Sequence, residues 1–349
     1  MSGLTGRACA ARNTRLLGLA MAMVVGLIAL APSSAHASGC TDSWTNNKGG
    51  SWFTPGNWSK GVPTSADEAC ISENGTYTIE MTQTNTTGTV GLKSLTIGGT
   101  SGTQTLIVGS SSTLNAILTT TAGVVNGAQG ALTLTNGDSS ANSVTLIGPV
   151  TNGGTLTVEQ AHGGNRTLQG NLTNTGTVAI NANTAYNSAG TLLSNQGALN
   201  VAEGRQLTAS AGASITNGAG GKILTSTSAD VLQSGGTFTE GAGTTSGSKP
   251  VIVDDGALVY AGSGESSIAL HGKSSLSGAS FAGQSLSIES TSTEHAEATS
   301  ATSFANAGSI TLTNGDGSAN NATLVISSGT LSNSGTITTQ PANGGARTI

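Results

Sequence analysis

Charge is scarce in this sequence. Asp, Glu, Lys and Arg make up 8% of its 349 residues and the formal net charge is -5, where an ordinary globular chain carries about 25% charged residues. No basic stripe is present to neutralise a phosphate backbone, so nucleic acid is not an expected partner. A disordered chain kept open by self-repulsion also needs charge, which this one lacks. Aromatics stand at 3%, and no tryptophan follows Trp58. Beyond residue 37 there is neither a helical apolar period nor a long apolar run. The first absence excludes a helical core, and the second excludes a transmembrane helix in the mature chain.

The one long apolar run is at the front. Arg7, Arg12 and Arg15 precede residues 16–31, and Ala35-His36-Ala37 places small residues at −3 and −1 of a cleavage site. Residues 1–37 read as a Sec-type signal peptide cut near Ala37, which predicts an extracellular or cell-surface protein. A retained anchor is the alternative, but the run is shorter than the roughly 20 residues a span needs. Export permits disulfides. Cys9 leaves with the signal, so Cys40 and Cys70 are the pair that remains. Their bridge would close a loop worth about 3–4 kcal/mol. A competing reading treats Ala37-Ser38-Gly39-Cys40 as a loose lipobox that puts a lipid on Cys40, although Ala37 stands where Leu is usual.

What is abundant is Gly (52 residues), Thr, Ser and Asn in a two-residue alternation. "SLTIGG" (94–99), "TLIVGS" (105–110), "ALTLTNG" (131–137), "GTLTVEQ" (154–160) and "GTVAINA" (176–182) set an aliphatic at every second position, with turn residues at the ends. That is strand periodicity. A longer frame lies over it: Asn-x-Gly recurs at Asn152/Gly154, Asn174/Gly176, Asn195/Gly197, Asn306/Gly308 and Asn333/Gly335. Spacings of roughly 20–30 residues mark a solenoid, in which no repeat buries its apolar face until a neighbour stacks on it. The expected fold is all-β, a right-handed parallel β-helix (β-solenoid) with an aromatic N-terminal cap. Some twelve to thirteen coils at about 4.8 Å each would make a rod near 60 Å long.

A block of coils is also duplicated. "LTLTNGDSSANSVTL" (132–146) returns as "ITLTNGDGSANNATL" (310–324), and "NGGTLTVEQAHGGNRTL" (152–168) as "NSGTITTQPANGGARTI" (333–349). The second copy stops at Ile349, where the first continues into further coils, so truncation at the C-terminus is expected. The predicted organisation is 1–37 signal peptide, 38–90 N-terminal cap and 91–349 β-helix repeats.

Trp44, Trp52 and Trp58 fall within a single stretch at the front. A solenoid's first coil has no neighbour on one side, and its open backbone edge invites further pairing. Indoles bury on the order of 200 Å² each and can roof that coil, while Pro55 and Pro63 cannot extend a ladder. Gly50-Ser51-Trp52, Pro55, Asn57-Trp58, Gly61, Pro63-Thr64, Asp67, Ala69 and Ile71 resemble the opening motif of bacterial extracellular β-strand-repeat proteins. These are the autotransporter-like passengers and filamentous-haemagglutinin-like adhesins. The resemblance spans about 25 residues of the cap, whose candidate residues are Trp44, Trp52, Trp58, Pro55, Asn57, Pro63 and Asp67, and it implies a secreted or surface-displayed β-helix. The chain departs from those families in showing no translocator barrel, cell-wall sorting motif or haemagglutinin-type secretion domain.

Chemistry is thin. Asp254 and Asp255, followed by His271-Gly272-Lys273, faintly resemble the acidic pair and His-Gly element of pectin-degrading hydrolases. Two carboxylates could act across a glycosidic bond, but a polar turn explains them as well. Asp138 and Asp316, in the two "TNGD" loops, offer oxygens to calcium, yet one carboxylate per loop falls short of the 6–8 oxygens required, and Asx-turns account for both. Arg166 and Arg347 occupy equivalent places in the duplication and are expected to be solvated turn residues. His162, His271 and His295 lack metal-ligand spacing. No cofactor is expected.

The leading expectation is a non-enzymatic adhesin or passenger-type module. Its partner would be a host or environmental surface glycan or protein, with self-association through flat uncharged faces. The alternatives are a carbohydrate-active β-helix enzyme acting on acidic polysaccharides and a purely structural layer or stalk protein.

Overall fold

The computed structural model describes residues 39–82, 88–110, 113–137, 141–316, 318–340 and 344–349. The signal segment and Asp138 lie outside them. Parallel strands stack into a β-solenoid of about twelve turns, and the only helical element among the described residues is the 3-10 turn Pro55–Asn57. Strands inside the stack pair with the strands one coil before and one coil after them. Thr155–Glu159, for example, lies parallel to Gly130–Asn136 on one side and to Thr177–Asn181 on the other. One column of strands forms a nine-stranded sheet from Gly50–Ser51 to Thr244–Gly247, and the remaining columns join in a sheet of 26 strands.

The two-residue alternation becomes columns of side chains. Leu106, Leu132, Leu156, Val178, Leu199 and Ile223 are successive partners, and Val108, Leu134, Val158, Ile180 and Val201 form the next column along. All of them are buried. Removing each such side chain from water contributes about 1.5–3 kcal/mol, and a slip of one residue would turn a whole row outward. Register is therefore fixed by the core.

Beside the aliphatics runs a column of amides. Asn126, Asn152, Asn174, Asn195 and Asn217 are completely buried. The Nδ2 of each of the first four donates to the Oδ1 of the next at 2.7–3.1 Å, over separations of 26, 22, 21 and 22 residues. The second amide proton goes to a backbone carbonyl of the following coil, such as Thr177 O for Asn152 and Ala198 O for Asn174. A shorter ladder runs from Ser280 through Asn306 to Asn333. Two residues on, the glycine is also compulsory. A Cβ on Gly154, Gly176 or Gly197 would lie 2.2 Å from the carbonyl oxygen of the glycine one coil earlier. The Asn-x-Gly repeat thus records an interior amide ladder, not a ladder at the corners or outer faces, next to a close backbone approach.

The aromatic cluster packs at the N-terminal end of the stack, and its three tryptophans are buried. Trp58 meets Trp44 and Trp52 edge-on, with ring centroids 5.1 and 4.6 Å apart, and its Nε1 donates to Trp52 O at 2.8 Å. Pro55 opens the 3-10 turn. Asn57 donates to Ser51 O and accepts from Asn46. Pro63 is buried. Asp67 accepts from the Thr64 N–H at 2.8 Å and its hydroxyl at 2.7 Å; the N–H bond first, then the hydroxyl, holds its carboxyl below the usual range. The Cys40–Cys70 disulfide forms across this region, with Cα atoms 5.7 Å apart. One boundary moves. Asp42–Ser43 already pairs with Glu68–Ile71, and Gly50–Ser51 with Tyr77–Thr82, so among the described residues the stretch assigned to the cap is itself coiled, ahead of residue 91.

The structure corrects the reading of Arg166 as a solvated turn residue. It is 1% exposed. Its Nε donates to Glu159 O at 2.9 Å, Nη2 to Gln160 O at 2.7 Å, and Nη1 to the carbonyls of Gly163, Gly164 and Asn165. The loop wraps the guanidinium, whose five donors suit a cage of carbonyls. Arg347 repeats the bond with Gln340 O at 3.1 Å, again seven residues back.

Two substitutions test this packing. Asn174→Ala strips Asn152 of an acceptor and leaves Asn195 Oδ1 and Ala198 O without their donor, at an expected cost on the order of 3 kcal/mol. An unchanged urea midpoint would contradict the ladder. Trp58→Ala removes both ring contacts at an expected cost of about 3–5 kcal/mol. Hydrogen exchange should then rise first in the coils nearest Asp42, and uniform exchange along the rod would speak against a local cap.

Candidate functional site

Coil length is uneven along the stack: paired residues are 26–29 apart from Asp42 to Val150, 21–23 from Val150 to Phe238, then 20 and 18 from Phe238 to Leu276. The bonds from Gly256 N to Ser274 Oγ and from Lys273 N to Asp255 Oδ1 each span 18 residues, whereas Ser280–Asn306 spans 26 and Ser303–Thr330 spans 27. A short coil followed by longer ones leaves a shoulder. The turn between Gln284–Ser290 and Ala296–Ser300, closed by Thr291 N–H donating to Glu294 O at 3.1 Å, overhangs it.

Asp254 and Asp255 lie on that shoulder. The strand Val251–Asp254 turns Val251 and Val253 into the core, so Asp254, one position after Val253, falls on the outward side of the alternation. Asp255 then takes a left-handed φ of +47° and its Oδ1 accepts the Lys273 N–H at 2.8 Å. Position 272 favours glycine, since its φ is +55° and a Cβ there would sit 2.4 Å from that same oxygen. From the overhanging turn Glu294 reaches the pair, and each of the three carboxylates offers an oxygen within 4.8 Å of the other two. Burial first, then the charges of Asp254 and Asp255, push the Glu294 carboxyl above its ordinary range, and in its protonated form it can donate to Asp254.

The resulting groove has a volume of about 600 Å³ and is lined by Asp255, Lys273, Glu294, His295 and Glu297, with Asn321 and Thr323 at its far wall. His295 Nδ1 accepts the Asn321 N–H at 2.8 Å, which puts the proton of its neutral form on Nε2. His271 pairs in register with Asp254 on the next coil but does not line the groove. The structure therefore keeps the two aspartates together, supplies Glu294 as their third partner, and puts His295 rather than His271 on the wall. Glu294 had no signal in the sequence, because its approach depends on unequal coil lengths.

Of the two calcium candidates the structure describes one. Asp138 lies outside the described residues. Asp316 is absent from the one cluster of three potential metal ligands found among the described residues. Its carboxylate accepts the backbone N–H groups of Ser292 and Ser318, which is turn chemistry. No helix among the described residues is long and apolar enough to cross a membrane.

No family model matches the chain, and no curated protein or solved structure is found to be similar to it. What the fold defines is a class: an all-β repeat protein, a parallel β-solenoid with a disulfide and an aromatic cluster at its N-terminal end.

The carboxylate cluster has a direct check. Asp254→Asn removes a neighbouring charge and a proton-sharing partner, so the Glu294 carboxyl should titrate at lower pH in the variant, read by carboxyl-carbon NMR. A midpoint identical to wild type would mean that the two groups do not interact.

Proposed function

We propose that this protein is a secreted or surface-displayed β-solenoid of adhesin or passenger type, which engages a glycan or protein surface over an extended face. The observation that carries this reading is the outer surface of the nine-stranded sheet. Its outward positions fall in register as Thr78, Thr105, Ala131, Thr155, Thr177 and Ala198, with Ile107, Thr133, Thr157, Ala179 and Asn200 in the adjoining row. Nine strands at about 4.8 Å spacing make a face close to 40 Å long. Charge on its outward rows is confined to Glu80, Glu159 and Lys222. A flat, neutral face of hydroxyls, methyls and amides suits many weak contacts with an extended partner better than one deep site. Export is supported by the signal-like leader and by the Cys40–Cys70 bridge, since disulfides persist in oxidising compartments.

A second reading has its own observation. Glu294, its carboxyl pushed above the ordinary range beside two other carboxylates, has the make-up of a glycosidic acid with a partner carboxylate, and oxygens within 4.8 Å of one another lie nearer the about 5–5.5 Å of retaining enzymes than the about 6.5–9.5 Å of inverting ones. Asp255 and Glu297 outnumber the single Lys273 on the groove wall even with Glu294 neutral, which favours a neutral or cationic chain over an acidic polysaccharide.

One experiment separates the two. Purified residues 39–349 are tested for binding to immobilised glycans and matrix proteins and for release of reducing ends from neutral and acidic polysaccharides. Thr133→Lys with Thr157→Glu should cut binding at least tenfold while circular dichroism is unchanged, and Asp255→Asn should leave binding intact. Sugar release that disappears in Asp255→Asn would replace the first reading by the second.

A further inference from the structure

At the end of the main amide ladder stands a carboxyl group. Asn217 Nδ2 donates to Glu240 Oε1 at 3.1 Å, 23 residues on, in the place where each preceding link of the ladder from Asn126 offers another asparagine. Glu240 is completely buried, and its second oxygen, Oε2, has no hydrogen-bond partner. The next residue in register is Tyr260, also buried, with an unpartnered hydroxyl. One coil further the position is Gly278, where a Cβ would meet Tyr260 O at 2.0 Å, so the ladder cannot continue. Among the described residues no ion pair is formed with Glu240. The two ion pairs found among the described residues, Lys93–Glu68 and Lys249–Asp230, are elsewhere.

We propose that Glu240 is an acid-held lock in the middle of the rod: protonated, it closes the amide ladder as a neutral group, and its deprotonation loosens the coils on either side of it. A buried carboxylate without a cation is costly, and such a group keeps its proton instead. Burial pushes Glu240 up to about 8, against a smaller lowering by the Asn217 amide. The groups facing it are few. The strand Ser214–Asn217 presents the neutral amide of Asn217, and Ala257–Tyr260 presents the phenol of Tyr260, itself raised by burial and by the Glu240 charge.

The sign follows from linkage. The folded chain holds this proton more tightly than the unfolded chain, whose glutamate titrates near 4.5. The contribution to stability is complete below about 4.5, declines as pH rises, and is gone above about 8. A glutamine at 240 has no such proton and can still accept from Asn217.

The test uses thermal melts of residues 39–349 between pH 5 and pH 9, with infrared spectra at pH 7, on wild type and Glu240→Gln. Both are made in a Glu294→Gln background, because Glu294 is also raised. The melting temperature of the parent should fall on the order of 5 °C or more across the window, while the Glu240→Gln curve loses this slope. The parent should show a protonated-carboxyl stretch at pH 7 that vanishes in Glu240→Gln. Hydrogen exchange, corrected for intrinsic rates, should rise at least tenfold from pH 6 to pH 9 in strands Ser214–Asn217, Thr237–Glu240 and Ala257–Tyr260. Parallel melting curves, or a parent without the infrared band, overturn the proposal. Should Glu240→Gln not fold, the band and the exchange pattern of the parent decide alone.

Discussion

In-register stacking of one coil on the next is the interaction on which everything else in this molecule depends. No single coil could bury its aliphatics, satisfy its amides or pair its backbone. Stacked, each strand receives hydrogen bonds from both sides, and Leu, Val and Ile fall into continuous columns. Coupling is therefore to nearest neighbours, and stability accumulates along the rod instead of around one centre. The ends and irregular coils become the places where the fold is most exposed to failure. The aromatic cluster and the Cys40–Cys70 bridge reinforce one such end.

The same constraint shapes what the surface can do. Because alternate residues are committed to the core, the outward positions repeat with the coil and build flat rows of threonine, alanine and asparagine. Chemistry concentrates where coil length changes. The 18-residue links around Asp255 and Ser274 give way to links of 26 and 27, and this mismatch opens the groove that Glu294 enters. The interior has its own irregularity at Glu240, where a carboxyl replaces the expected amide.

Much of the fold was legible in the sequence. Alternation gave the strands, Asn-x-Gly gave the coil, and the crowding of Trp44, Trp52 and Trp58 marked the first turns. The meaning of the asparagines was legible only in part. Their spacing was visible, but a buried amide and an exposed one look alike on a period-two pattern. Arg166 misled for a related reason, since a cage of backbone carbonyls leaves no trace in side-chain composition. Asp254 and Asp255 stood out as neighbours in sequence, whereas Glu294 joins them across coils of unequal length and gave no sign. Glu240 could have been found. "TFTEGAG" (237–243) aligns with "SITNGAG" (214–220), with glutamate in the place of the ladder asparagine.

The account's central claim is that buried asparagine side chains hydrogen-bond from coil to coil in register. Asparagine-selective nitrogen labelling of residues 39–349 reads this most directly by NMR. The side-chain amide protons of Asn152, Asn174 and Asn195 should exchange slowly and show cross-relaxation from each to the next along the column. Fast-exchanging amides with no contact between successive asparagines would contradict the stack and the functional reading built on it.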